Sequence, residues 1–156
     1  MRRVLVNECR VKFPSLSRNE GLSRSAAAAF VLQCDPTVEE TAAVKTAVSE
    51  AVTNAIVHGY RNNSGDIELM MRLYEGNILH IQIRDKGSGI ADVAKAMEPA
   101  YTTAPEDEER SGFGFTVMAS FMDKVSVRSE CGKGTVVTME KQIFGKRDHR
   151  DQGGTR

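Results

Sequence analysis

Hydrophobic and polar positions change period several times along the chain, and each change marks an element. From Val4 to Phe13, Cys9, Val11 and Phe13 fall on one face and Arg10 and Lys12 on the other, the period-two spacing of a strand that Pro14 ends. Ser17-Arg-Asn-Glu20 has the S-x-x-E form of a capping box, and Leu22, Ala26, Ala29, Phe30 and Gln33 then recur at helical spacing as far as Asp35-Pro36. Thr37-Val-Glu-Glu40 repeats the capping signal, and Val44, Val48, Val52 and Ile56 carry a longer helix, roughly six turns, to Gly59. After a polar loop, Ile67, Leu69, Met71 and Leu73 alternate with Glu68, Met70, Arg72 and Tyr74. The same alternation resumes at Leu79, Ile81 and Ile83 beyond Glu75-Gly-Asn77, so a hairpin closing at Asp85 is predicted. Ala91 to Met97 predicts a short helix. Glu98 to Ser111, with Pro99, Pro105 and an acidic run, has no period and predicts a mobile loop. Phe115 to Met122 is apolar at helical spacing, and Val125-x-Val127, Cys131-Gly-Lys-Gly134 and Thr135 to Glu140 predict a last hairpin. Two helices, two hairpins and a helix between them predict an α+β fold: a two-layer α/β sandwich whose mostly antiparallel sheet carries its helices on one face. Residues 1–143 are expected to form a single domain and residues 144–156 a disordered tail.

Composition narrows the function classes. Of 156 residues, 40% are hydrophobic and 27% charged, so a packed core is expected. No apolar run approaches the roughly 18 to 20 residues of a membrane span. The 21 basic and 21 acidic side chains cancel, which removes the broad positive field of a nonspecific nucleic-acid binder. Cys9, Cys34 and Cys131 are far apart and form no CxxC pair, and Met1-Arg2-Arg3 leads into only a short apolar stretch. A disulfide framework, a zinc site and a signal peptide are therefore all unsupported, and a reducing cytoplasm is expected.

Three segments could carry chemistry. Glu50, Asn54 and His58 stand four residues apart on the long predicted helix, so a polar stripe interrupts an apolar element. A carboxylate there can take a proton from a hydroxyl, and an amide oxygen one turn on can complete magnesium coordination without adding charge; a solvated helix face is the competing reading. Asp85-Lys-Gly-Ser-Gly-Ile90 closes a predicted strand. It is either a plain turn or a site where Asp85 accepts from the exocyclic amine of adenine while Gly87 and Gly89 let the backbone approach the base. Arg110-Ser-Gly-Phe-Gly-Phe115 opens a predicted helix, where backbone N–H groups and the positive helix end can hold phosphate. No Gly-Lys-Ser/Thr follows, so it is not a Walker loop.

The order of these pieces resembles a known family. A Glu/Asn helix, a strand ending in D-x-G-x-G, a long loop closing on G-x-G before a helix, and Gly134-Thr135 entering a late strand resemble the ATP-binding fold of DNA gyrase, heat-shock chaperones, histidine kinases and mismatch-repair ATPases, the Bergerat fold. Within that superfamily, Ser49 to Tyr60, Thr102-Thr103 with Pro105-Glu106, Glu109 to Phe115 and Phe121-Met-Asp123 are similar to the anti-sigma F factors of endospore-forming bacteria, which are serine-protein kinases. Asp35-Pro-Thr37 and Asn19-Glu20 match as well, and the resemblance covers about Cys9 to Lys141. It implies that Glu50 is the general base, Asn54 a magnesium ligand and nucleotide contact, and Asp85 the adenine reader. It also implies nucleotide contacts from Gly87, Gly89, Thr103, Ser111, Gly112, Gly114 and Thr135. Arg110 is either a catalytic charge on the transferring phosphate or a partner of the acidic run Glu106 to Glu109. Ala104 departs from the family pattern, where a lysine is common.

The implied cofactors are ATP and magnesium. The implied partners are a sporulation sigma factor, held in the ATP-bound state, and an anti-anti-sigma factor phosphorylated on serine, with the protein itself a homodimer. Neither nucleic acid nor membrane is an expected partner. A kinase of the general stress sigma factor and a non-catalytic ATP-dependent sigma-binding module are the alternatives. Glu20 and Arg24, one turn apart on the first predicted helix, are either a partner-binding pair or an exposed ion pair within the helix; Leu22, Ala26, Ala29 and Phe30 supply its expected buried stripe.

Overall fold

A computed structural model describes residues 2–99 and 114–146. In chain order it places β1 (Leu5–Pro14), α1 (Asn19–Val31), a short 3-10 turn (Leu32–Cys34), α2 (Val38–Asn54), a π turn (Ala55–Gly59), β2 (Asp66–Tyr74) and β3 (Ile78–Asp85). These are followed by α3 (Val93–Ala96), α4 (Gly114–Phe121), β4 (Lys124–Glu130) and β5 (Gly134–Gln142). The strands form one five-stranded sheet in the order β1-β2-β3-β5-β4, with every neighbouring pair antiparallel. This is the α+β sandwich expected from the element order.

The alternation read in the sequence sets the two faces of the sheet. Ile67, Leu69, Met71 and Leu73 of β2, Leu79, Ile81 and Ile83 of β3, and Val137 and Met139 of β5 are buried against Val44, Ala47, Val48, Ala51 and Val52 of α2 and Met118 of α4. Each large aliphatic side chain so buried contributes about 1.5–3 kcal/mol. The opposite face is ionic: Arg72 lies 2.5 Å from Glu8, and Arg3 reaches Glu140 at 2.6 Å. Met70 is buried on that polar face, opposite Arg10 and Gln82, whose long stems can cover it.

The helix ends depart from the sequence reading in instructive ways. Thr37 caps α2, its hydroxyl accepting from Glu40 N at 3.1 Å. The Glu40 carboxylate accepts from Gly145 N at 3.1 and 3.3 Å, tying α2 to the end of the described chain. At α1 the N-cap is Arg18 and no side chain caps it, so the box expected at Ser17 does not form. The buried stripe of α1 is Ser23, Ala27, Phe30 and Val31; Leu22 is 49% exposed and Ala29 is also exposed. Alanines at four consecutive positions satisfy several helical phases equally, and the tight packing of α1 on α2 selects the one that puts small Ser23 and Ala27 inward. Past β5 the chain stays docked, because Gly145 is held by Glu40 and Lys146 N donates to Asp35 O at 3.0 Å. The expected tail therefore begins with three residues, 144–146, that belong to the body; residues 147–156 lie outside the described residues.

Candidate functional site

The long helix changes character where its polar stripe ends. It is α-helical to Asn54, and the next five residues wind as a π turn in which Tyr60 N reaches back to Ala55 O at 2.9 Å. Such turns insert one residue into the helical count and are frequent at functional sites. Glu50 and Asn54 keep their i, i+4 relation, but the stripe does not run on to His58 in α register. Glu50 and Asn54 instead converge on the start of α4. A Cβ placed on Gly114 would stand 3.0 Å from Asn54 Nδ2, 3.2 Å from Asn54 Oδ1 and 3.3 Å from Glu50 Oε2. Three predicted site residues thus meet at one point, and only glycine leaves both side chains undisturbed.

A second cluster forms at the far end of the π turn. Gly59 and Gly87 pack backbone to backbone: a Cβ on Gly87 would fall 2.1 Å from Gly59 O, and Ser88 N donates to that oxygen at 2.8 Å. A Cβ on Gly59 would meet the Asp85 carboxyl at 3.0 Å, so Gly59 forms one wall around that side chain. Gly134, with φ at 107°, lies equally close to Asp85 O, and Gly89, with φ at 75°, packs on Glu130 O; both conformations suit glycine. Asp85 is only 6% exposed. Burial pushes its carboxyl above the usual carboxylate range, opposed by hydrogen bonds from the N–H groups of Gly87 and Thr135. A buried carboxyl set among close-packed glycines is suited to hold a polar ligand group that donates to it.

Glu20 turns inward rather than toward solvent. Its carboxylate accepts from the Ser49 hydroxyl, beside Glu50, and lies 3.3 Å from Arg24. Glu20 also borders a shallow cleft between α1 and α2, lined with Ser17, Thr53, Ile56 and Val57. The structure thus groups Glu50, Asn54 and Gly114 in one place, and Asp85, Gly87, Gly89 and Thr135 in another, on either side of the π turn. Thr103, Arg110, Ser111 and Gly112 lie outside the described residues, as does most of the expected mobile loop. Sequence reading missed Gly59 as a wall of the Asp85 site, Tyr60, whose hydroxyl accepts from Lys86 N at 2.8 Å, and Ser129, hydrogen-bonded to Thr135.

The residues present fit a nucleotide and a divalent ion. The close-packed glycines wall in Asp85, whose carboxyl offers acceptors to a base. Among the described residues no three His, Cys, Asp or Glu side chains cluster as a metal centre. Where magnesium binds, the neutral amide oxygen of Asn54 is the kind of ligand it would take.

Residues 13–141 match the family described as the histidine kinase-like ATPase domain. The anti-sigma F factor of Geobacillus sp. strain WCH70 is 50% identical over 137 residues, spanning 88% of this chain and 93% of its own. That of Thermoanaerobacter sp. strain X514 is 52% identical over 137 residues, spanning 88% and 94%. Among solved structures, the RsbU and RsbW domains of a Mycobacterium tuberculosis protein align with a TM-score of 0.65 at 15% identity, over 88% of this chain and 33% of that one. The mycobacterial sensor histidine kinase MprB aligns with a TM-score of 0.56 at 12% identity, over 90% and 100%. These two structural likenesses are likenesses of fold.

Proposed function

The chain belongs to the histidine kinase-like ATPase domain family and, within it, to the anti-sigma F factors; on that premise we propose that it is an ATP-dependent serine kinase that also sequesters a sigma factor. The reading extends to a sporulation sigma factor held in the ATP-bound state, a small anti-anti-sigma protein phosphorylated on serine, a homodimeric assembly and a cytoplasmic location. Among the described residues no helix is long and apolar enough to cross a membrane. The observation that carries the catalytic part is the convergence of the Glu50 carboxylate and the Asn54 amide on Gly114.

Bound ATP with magnesium would supply the transferable phosphoryl group and neutralise its charge. Phosphoryl transfer asks little covalent chemistry of a protein and depends on positioning and charge. Glu50 holds a proton acceptor one helical turn before Asn54, placed to take the proton of an incoming serine hydroxyl. Asn54 contributes a neutral oxygen for the ion. Asp85 reads the base, Thr135 supports it, and Gly87, Gly89, Gly112 and Gly114 give backbone access to the nucleotide. Thr103 and Ser111 are further nucleotide contacts, and Arg110 is the side chain proposed to stabilise charge on the transferring phosphate. Glu20 and Arg24 are the proposed partner-binding pair; Glu20 acts there by orienting Arg24, since its carboxylate is also bound to Ser49.

Mixing the purified protein with labelled ATP, magnesium and candidate anti-anti-sigma proteins tests this reading. Serine phosphorylation is expected, and Glu50→Gln should bind ATP but transfer roughly 100-fold more slowly, the scale of a positioned base. Transfer by Glu50→Gln at the parental rate would remove Glu50 from the mechanism. ATP binding without any transfer by the parent would leave only a nucleotide-dependent binding module.

A further inference from the structure

At the Asp85 end of the sheet, three polar side chains stand in one row across three strands. Asp85 of β3 is the cross-strand partner of Thr135 in β5, and Thr135 is the partner of Ser129 in β4. The alternation that turns Ile83, Val137 and Val127 toward the helices turns all three of these residues the same way. Ser129 Oγ lies 2.7 Å from Ile90 N, 3.0 Å from Gly134 O and 2.8 Å from Thr135 Oγ1.

Proton counting gives one arrangement in which all three contacts are hydrogen bonds. A serine hydroxyl has one proton and two lone pairs. The Ile90 N–H can only donate, so it occupies one lone pair. The Gly134 carbonyl can only accept, so it takes the proton. The remaining lone pair meets Thr135 Oγ1, and that contact is a hydrogen bond only when Thr135 is its donor. Thr135 has then committed its proton inside the protein, and only its lone pairs remain for the pocket. An ionised Asp85 is also acceptor-only, with one oxygen already taking the Gly87 N–H at 2.9 Å.

We propose that Ser129 is a specificity-determining positioning residue, which holds the Thr135 hydroxyl so that the base-reading edge of the pocket accepts and never donates. This rests on the reading of the pocket as a nucleotide site and adds to it the source of base discrimination. An acceptor-only edge selects a purine carrying a 6-amino group, whose N–H bonds it satisfies. A 6-oxo purine in the same pose sets lone pair against lone pair. A water bridging Asp85 and Thr135 transmits the same demand, because it donates to both and turns its own lone pairs to the ligand. Without the Ser129 oxygen, the Thr135 hydroxyl is released to rotate and can donate outward.

The test is a competition titration of the full chain with ATP and inosine triphosphate, which carries a 6-oxo group, alongside thermal unfolding without ligand. Ser129→Ala should lower the preference for ATP over inosine triphosphate by about tenfold, and Ser129→Thr, which keeps the hydroxyl, should restore it. A Ser129→Ala protein that weakens both nucleotides equally, or leaves the ratio unchanged, overturns the proposal. So does a Ser129→Thr protein that folds but keeps the lowered ratio. A parent protein that binds neither nucleotide defeats the nucleotide reading itself, an outcome distinct from these.

Discussion

Replacing Gly114 by alanine should move stability and catalysis in opposite directions. The added methyl would sit 3.0 Å from Asn54 Nδ2, 3.2 Å from Asn54 Oδ1 and 3.3 Å from Glu50 Oε2. All three are ends of side chains, so relief requires only that they swing aside by a few tenths of an ångström. The fold therefore accepts the substitution. Gly114 opens α4, and exchanging glycine for alanine in a helix gains up to about 1 kcal/mol, mostly by restricting the unfolded chain. The displaced groups, however, are the proposed base and the proposed ion ligand. A misplacement of about 1 Å can cost on the order of 100-fold in rate, so a shift of a few tenths should cost about 10-fold. Differential scanning calorimetry should show an unchanged or raised Tm, and transfer of labelled phosphate to serine should fall. Gly87→Ala supplies the contrast, since its methyl would meet Gly59 O at 2.1 Å and Gly59 C at 2.3 Å. Backbone there cannot swing aside, and a loss of about 3 kcal/mol or more is expected. A Gly114→Ala protein with lowered Tm and parental transfer rate would refute the reasoning.

Asp85 makes stability depend on pH. Burial raises its carboxyl, so the folded state holds the proton more tightly than the unfolded chain, and stability falls as pH climbs from the usual carboxylate range through the raised one. Asp85→Asn should therefore melt higher than the parent at neutral pH, with the difference closing in acid below the usual carboxylate range; a variant that melts lower at neutral pH contradicts the sign. Glu40→Ala strips the Gly145 N–H of its acceptors, at a cost of about 1–3 kcal/mol, and hydrogen exchange at Gly145 should accelerate more than in β3. Arg24→Ala breaks a partly exposed i, i+4 pair worth about 0.3–0.5 kcal/mol, so Tm should hardly move, while titration with the sigma or the anti-anti-sigma protein should show affinity lowered by about tenfold. Parental affinity for both proteins would return Arg24 to an ordinary helix-surface pair.

The sheet was readable because its alternation is enforced by burial on one face: Ile67, Leu69, Met71 and Leu73 could not be shifted by one residue without putting Glu68 and Arg72 in the core. The phase of α1 was not readable, since Ala26 to Ala29 make several faces equally apolar and only the packing on α2 separates them. The Ser17 box failed for a related reason. A capping motif states what a side chain could bond, while the Glu20 carboxylate found Ser49 across the helix pair and Arg24 one turn on in its own helix. Glu50, Asn54 and Asp85 were visible as polar residues breaking apolar patterns, but their grouping around the π turn depends on contacts far apart in sequence. Ser129 did leave a signal: it continues the inward parity of Val125 and Val127, and so is a polar residue at a core-facing position.

The π turn can also be regarded as an insertion that was kept. Deleting one residue between Ala55 and Gly59 would let α2 continue with ordinary hydrogen bonds, and by helix propensity the shortened helix would be the better one. Every position after the deletion would then rotate by about 100° around the axis and retreat by about 1.5 Å. Gly59 would leave the Asp85 carboxyl and the Gly87 backbone, and Tyr60 would leave Lys86 N. The register between the two halves of the site is thus held by a residue count, which side-chain replacement leaves intact and a single codon deletion would destroy.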